Sequence, residues 1–352
     1  MKKILTAILA AILWLTPLTS CTQTKDPEDT IAPEELPEWA GWPESPLADF
    51  EYERADDGLS MHIRRYVGSD EVVVIPSHIE GLPVTALVGW ELSIYGDIQM
   101  QGTFAYSTVK TVVLPETLVS IGKDSFYKCE NLTEVRVMPG SALKVIGESA
   151  FTICPALAIL DISATPLEAI EKDALKGCTG LSAISLPDTV TEIGDGAFAA
   201  CFALKELDLP DSLVSLGVDG FMGCKALWRI SIPAKLDLTA DGGPRFLGLP
   251  SLYSLTFDQG RESLEGSDYF EFRGMVGITI PAGVRRFSPG VFSAQDGASL
   301  HIWFEGDCPE ITGNSPFPEN ADITIYYDPN TAGWEACVWK GQYEMIPEDP
   351  LE

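Results

Sequence analysis

Five cysteines recur through the middle of this chain at nearly constant intervals. Cys129, Cys154, Cys178, Cys201 and Cys224 are separated by 25, 24, 23 and 23 residues, and Phe126, Phe151, Leu175, Phe198 and Phe221 each stand three positions before one of them. A fixed period of this length marks a repeat array and constrains the fold more than composition does. Broken at the same place, the chain reads VKTVVLPETLVSIGKDSFYKCENL, TEVRVMPGSALKVIGESAFTICPAL, AILDISATPLEAIEKDALKGCTGL, SAISLPDTVTEIGDGAFAACFAL and KELDLPDSLVSLGVDGFMGCKAL. Each unit opens on an alternating stretch such as Leu204-x-x-Leu207-x-Leu209, a short strand with one buried face. A proline follows (Pro76, Pro115, Pro139, Pro187, Pro210, Pro233, Pro281). It cannot donate to a ladder, so the chain turns out of the sheet there. Next come Ile121-Gly122, Ile146-Gly147, Ile193-Gly194 and Leu216-Gly217, each an apolar anchor and a residue free to take positive φ. The last stretch, for example Asp195-Gly196-Ala197-Phe198-Ala199-Ala200-Cys201, has helix-like spacing over one or two turns and points Phe and Cys inward. One unit alone cannot bury that much apolar surface, so the units must stack as a solenoid.

The pattern LPxxhxxIGxxAFxxCxxL resembles the BspA-like leucine-rich repeat, found also in treponemal surface proteins. Upstream, Tyr66-Val67-Gly68, Val72 to Pro76 and His78-Ile79-Glu80-Gly81-Leu82-Pro83-Val84-Thr85 resemble that family's opening repeat. Downstream, Ile232-Pro233 with Phe246 and Leu252 forms a sixth unit with a longer loop, Asp241-Gly242-Gly243-Pro244, and with Leu249 in place of the cysteine. Two degenerate units follow. Phe304-Glu305-Gly306-Asp307-Cys308-Pro309, Ile323 to Tyr327 and Gly333-Trp334 resemble the closing segment. The resemblance implies an α/β leucine-rich-repeat solenoid of short parallel strands with short helical turns, covering roughly residues 50–345. One departure has no repeat logic: Leu87 to Gln101 interrupts the first unit and is expected to be a loop on the rim.

The first residues, MKKILTAILAAILWLTPLTSC, combine a basic start with an uncharged apolar stretch from Ile4 to Leu18. That stretch is too short to span a bilayer and suits a signal peptide. Leu18-Thr19-Ser20-Cys21 resembles a bacterial lipobox, which implies acylation of Cys21 and anchorage in the cell envelope. Residues 22–58 carry twelve acidic and two basic side chains and are rich in proline, the composition of an extended tether. Lys25-Asp26-Pro27-Glu28-Asp29 resembles the acidic signal that sends some lipoproteins to the outer surface of the outer membrane. The chain thus divides into a lipoprotein signal peptide (1–20), an acidic tether (21–49), an N-terminal cap with the opening repeat (50–108), leucine-rich repeats (109–304) and a C-terminal cap (305–352).

With 23 Lys+Arg against 52 Asp+Glu, a net charge of −29 argues against a nucleic-acid partner, which needs a positive face. The histidines His62, His78 and His301 have no metal-ligand spacing, and no catalytic or cofactor fingerprint is present, so no catalytic residue, metal or cofactor is expected. The repeat cysteines read as small buried hydrophobes, whereas pairing of Cys308 with Cys337 stays open. Alternation places Glu134 and Arg136, Glu206 and Asp208, Arg229 and Ser231, and His301 and Trp303 among the outward residues of the concave strand face. Glu206, Asp208, Arg229 and Trp303 are the candidate ligand-binding residues. The resemblance implies an adhesin-like binding protein whose partner is a host matrix protein, another cell-surface protein or a glycan. A carbohydrate-active or glycan-binding solenoid and a purely structural surface protein are the alternatives.

Overall fold

The computed structural model describes residues 37–94, 97–238, 246, 249–264, 270–272, 274–311 and 315–348. The signal peptide, Cys21, the acidic signal and the loop Asp241-Gly242-Gly243-Pro244 lie outside the described residues. The chain divides into two units, Met1–Trp39 and Ala40–Glu352, and the second is the solenoid.

Each rung has three runs. The first is a strand with one buried face, as in Ile159–Asp161, Ala183–Ser185 and Glu206–Asp208, where only the central residue is buried. These strands pair in parallel in three sets: Val72–Val74, Thr111–Leu114 and Glu134–Val137; Ile159–Asp161 and Ala183–Ser185; and a seven-stranded sheet. The seven are Glu206–Asp208, Arg229–Ile232, Ser254–Phe257, Met275–Ile280, Ser299–Phe304, Asp322–Tyr327 and Glu344–Pro347. Where a proline follows the strand, its carbonyl can close the turn, as in Leu118 N–H to Pro115, Val190 N–H to Pro187 and Leu213 N–H to Pro210. Two-residue strands make the second run: Ser120–Ile121, Val145–Ile146, Ala169–Ile170, Glu192–Ile193 and Ser215–Leu216, all parallel. The N-terminal strands Phe50–Arg54, Met61–Tyr66 and Leu82–Leu87 continue this sheet, with the outermost pair antiparallel.

The third run is not helical, and the described residues contain no α-helix. Two residues per rung take left-handed backbone, one on each side of the core side chain: Asp124 and Lys128 around Phe126, Ser149 and Ile153 around Phe151, Gly196 and Ala200 around Phe198. Amides there alternate in direction. Ala197, Ala199 and Cys201 donate to carbonyls three residues back, while Gly196, Phe198 and Ala200 donate across to Val218, Gly220 and Met222 of the next rung. Half of the donors a helix would use internally are spent between rungs, so the segment is a ladder of turns. Among the described residues the solenoid is therefore made of strands and turns, without the α component expected from the resemblance.

A second expectation fails at the Ile-Gly step. Gly122, Gly147, Gly194 and Gly217 are absent from the left-handed residues. Their role is close approach: a Cβ on Gly122 would stand 2.2 Å from the Leu87 carbonyl oxygen, and one on Gly217 2.2 Å from the Asp195 nitrogen. The glycines let rungs nest.

Inside, the rings form a column. Tyr66, Phe104, Phe126 and Phe151 stack at centroid distances of 5.1, 5.0 and 4.9 Å, and after Leu175 the column resumes through Phe198, Phe221, Phe246 and Phe270 at 5.7, 6.0 and 5.0 Å. Each buried ring of this kind stabilises by about 1.5–3 kcal/mol. The repeat cysteines are fully buried beside the column. Each thiol donates to the carbonyl of the core residue one rung before: Cys129 to Phe104, Cys154 to Phe126, Cys178 to Phe151, Cys201 to Leu175 and Cys224 to Phe198, at 3.0–3.3 Å. A small side chain with one donor fits that position.

The insertion is not an irregular loop. Trp90–Ile94 and Asp97–Gln101 pair as an antiparallel hairpin. The closing segment continues the solenoid: Asp322–Tyr327 and Glu344–Pro347 are the last two strands of the seven-stranded sheet.

Candidate ligand-binding face

Parallel pairing in register turns the outward residues of the seven-stranded sheet into two rows. One runs Glu206, Arg229, Ser254, Gly277, His301, Thr324, Glu344, and the other runs Asp208, Ser231, Thr256, Thr279, Trp303, Tyr326, Ile346. The inward residues between them, such as Leu207, Ile230, Leu255, Ile278, Ile302 and Ile325, are buried and hold the strands in place.

At the start of the rows three candidates meet. The Arg229 guanidinium lies 4.0 Å from Glu206 and 3.6 Å from Asp208. Their side chains are 36%, 49% and 81% exposed, so the cluster is solvated and adds little to stability. Trp303 is not part of it. Four strand steps separate Trp303 from the strand of Glu206, about 19 Å at the usual strand spacing.

Trp303 instead belongs to a ring cluster. It stacks on Tyr326 at 4.6 Å and 7°, and His301 lies 6.2 Å from Trp303 and 5.9 Å from Tyr326. The polar handles are tied down: the Trp303 Nε1–H donates to Glu348 Oε2 at 2.8 Å, and His301 Nδ1 lies 3.0 Å from the Tyr326 hydroxyl. Gly277, one strand earlier, leaves the room into which the indole leans; a Cβ there would meet its ring at 3.2 Å. Burial lowers the pKa of His301 against the opposing pull of Asp322 and Glu344. Burial raises that of Tyr326, and Glu348 and Glu344 add to the shift. Both effects place carboxylates around the rings. Tyr326 and Glu348 were hidden because the sequence there reads as a closing segment. The alternation Asp322-Ile323-Thr324-Ile325-Tyr326 was the available signal.

At the other end the outward face is covered. Arg136 forks onto Glu134 through bonds of 2.7 and 3.0 Å, and its guanidinium lies 4.7 Å above the ring of Trp42. Ser45 exchanges two hydrogen bonds with Val74 at the free edge of Val72–Val74. Residues 42–49, counted with the tether from composition, thus attach to the first rungs.

Elsewhere the surface has shallow grooves, two of them among the described residues of the repeats. One, about 390 Å³, is lined by Glu148, Glu171, Glu192 and Asp195, and the other, about 280 Å³, by Glu262, Arg285, Arg286 and Glu310. Among the described residues no group of three His, Cys, Asp or Glu side chains is placed to hold a metal ion. Cys308 and Cys337 do come together: the Cys308 thiol donates to Cys337 Sγ at 2.6 Å.

Comparison with known proteins agrees with this architecture. A family described as the BspA type leucine rich repeat region matches in six copies over residues 99–227 and 168–298, more than half of the chain. No curated protein matches. Among solved structures, a leucine rich cell surface protein from Faecalibacterium prausnitzii is 22% identical over 84% of this chain and 88% of its own, with a TM-score of 0.53. The leucine rich repeat protein of T. pallidum is 26% identical over 60% of this chain and 81% of its own, with a TM-score of 0.43. One from Bacteroides ovatus is 19% identical over 86% and 98%, with a TM-score of 0.44.

Proposed function

This chain belongs to the BspA-type leucine-rich repeat family, and on that footing we propose that it is a cell-surface lipoprotein whose strand face binds a protein partner. The observation that carries the reading is the pair of in-register outward rows, unbroken over seven strands and ending in rings. Such a surface presents side chains at fixed spacing, so an extended partner can be gripped by many modest contacts. Its chemistry is that of recognition: ion pairs and rings held by their own hydrogen bonds. A host matrix protein or another surface protein is the proposed partner, and no catalysis is assigned. The anchor is Cys21, acylated in the cell envelope at the outer membrane, with the acidic stretch as spacer.

The test is capture of matrix and surface proteins on the immobilised full chain, with and without charge reversal at Glu206 and Asp208. Capture that falls on reversal while the melting temperature holds supports the strand face. Capture that survives reversal and is lost when Leu87 to Gln101 is shortened would move the site to the hairpin. Turnover of a polysaccharide panel would replace binding with catalysis. For the anchor, Cys21→Ser should abolish incorporation of a palmitate analogue; equal labelling of the variant would contradict the lipoprotein reading.

A further inference from the structure

We infer that the end of the strand face around Trp303 is a binding site for arginine- or lysine-bearing extended segments of a protein. The inference rests on the strand face being the binding surface, and it names the chemistry of what binds there. Three observations carry it. First, Trp303, Tyr326 and His301 form one half-buried ring cluster on two of the sheet's six-residue strands, Ser299–Phe304 and Asp322–Tyr327. Second, their polar atoms are already engaged with Glu348 and with each other, so the rings are held in place before any ligand arrives and offer π surface rather than donors. Third, the charge around them is one-sided. Asp322, Glu344 and Glu348 border the rings, and among the described residues none of the three forms a salt bridge. Glu206 and Asp208, by contrast, already face Arg229. A guanidinium stacks on aromatic surface and forks onto a carboxylate, so this end of the face presents both halves of what it recognises. The chain's net charge of −29 adds long-range attraction for a basic partner.

The probe is a fluorescently labelled oligo-arginine peptide, titrated against the full chain in mild detergent and read by anisotropy. The expected result is saturable binding that weakens as salt rises from about 0.05 to about 0.5 M. Glu344→Gln with Glu348→Gln, and separately Gly277→Val, should each weaken it at least tenfold, the latter by displacing the indole. Trp303→Leu should do the same and is the variant to rely on if Gly277→Val does not fold. Reversal at Glu206 and Asp208 should change the peptide's affinity less than twofold, although it lowers capture of a long partner. Binding indifferent to Trp303→Leu, or a neutral oligosaccharide whose binding requires Trp303, would overturn the inference. Either result leaves the reading of the strand face to stand on its own capture test.

A second inference comes from a separate place. We propose that Cys308 and Cys337 join as a disulfide that closes the last rungs. The five ladder thiols each point at a backbone carbonyl of the preceding rung, whereas these two point at each other. Their segments are already adjacent: Cys308 N–H donates to the Ala332 carbonyl at 2.9 Å, and a Cβ on left-handed Gly333 would stand 3.2 Å from Cys308 Cβ. The Cys308 thiol donates to Cys337, which pulls the Cys337 thiol down to about 7 and makes it the nucleophile. In the reaction the Cys337 thiolate attacks the disulfide of a thiol oxidoreductase, and Cys308 then displaces the oxidoreductase from the mixed disulfide. Two electrons leave with it as a dithiol, and the two cysteines have given up their protons. Protein purified from the cell envelope, denatured and alkylated without reductant, should carry label on the five ladder cysteines and none on Cys308 or Cys337 until reduced. In a Cys308→Ser variant Cys337 should label directly. Label on both cysteines of the unreduced wild type would overturn the pairing.

Discussion

The regular middle of the array and its closing end are built on one plan with different materials. In the middle, from about 109 to 233, strands are two to four residues long and the core rings that stack lie within 17° of parallel. Outward positions there are mostly small or charged, with Ile159 an exposed exception and no aromatic ring among them. At the end the strands reach six residues, and the rings that fill the interior, Phe287, Phe292, Phe304, Phe317, Trp334 and Trp339, mostly meet at 39° to 77°. Arg261 stands where earlier units have Leu213 and Leu236. It is buried, and its guanidinium donates to the Pro233 and Leu236 carbonyls at 2.7 and 2.9 Å. The consensus therefore specifies one economical core rung. Where the sequence leaves it, the core is filled less regularly, the strands lengthen, and the outward face gains the stacked rings of Trp303 and Tyr326.

Substitutions that break the middle should be the most damaging. Phe198→Asp puts an unpaired charge into the ring column and should cost about 4 kcal/mol or more, enough to melt several rungs together. Phe198→Leu, which copies the natural break at Leu175, should cost only about 1–2 kcal/mol. Chemical denaturation of both variants checks the contrast, and equal stabilities would show that the column is not a core.

Gly217→Ala comes next. Its Cβ would meet backbone of the preceding rung, and forcing the rungs apart should cost about 1–3 kcal/mol. Gly274→Ala, with open space around it, should melt within a few tenths of a kcal/mol of wild type. If both melt alike, nesting is not why the glycine is there.

A smaller effect belongs to the thiols. Burial raises the pKa of Cys201 and pushes that of Cys224 from 9.0 up to about 12. The unfolded chain ionises first, so the contribution of Cys224 is complete below about pH 9 and is lost as pH climbs towards 12. Cys224→Ala should flatten part of the alkaline fall in stability, and an unchanged profile would remove the thiol as its cause. The smallest shift is expected on the face itself. Reversing Glu206 and Asp208 should move stability by no more than about 0.5 kcal/mol, because both side chains are solvated.

The solenoid was legible because its signal repeats: one period fixed the strands, the prolines and the inward Phe and Cys. The helical turns were misread because Phe and Cys at i and i+3 fit a helix as well as a turn ladder. Only the left-handed residues, several of them Asp, Ser or Ala rather than Gly, separate the two, and propensity barely marks those. The Ile-Gly step was assigned to φ although its cause is a neighbour two dozen residues away, which local reasoning cannot see. On the face, alternation found Glu206, Asp208, Arg229 and Trp303, but only register puts the first three in contact and leaves Trp303 with Tyr326.

The central claim is that the turn ladder carries the fold and the outward strand face carries binding. Amide hydrogen exchange of the full chain, with and without saturating oligo-arginine peptide, tests it directly. The cross-rung amides of Gly196, Phe198 and Ala200 should be strongly protected in both states, and added protection should be confined to Ser299–Phe304, Asp322–Tyr327 and Glu344–Pro347. Added protection on the turn side or in the hairpin Trp90–Gln101, with none on those strands, would contradict it.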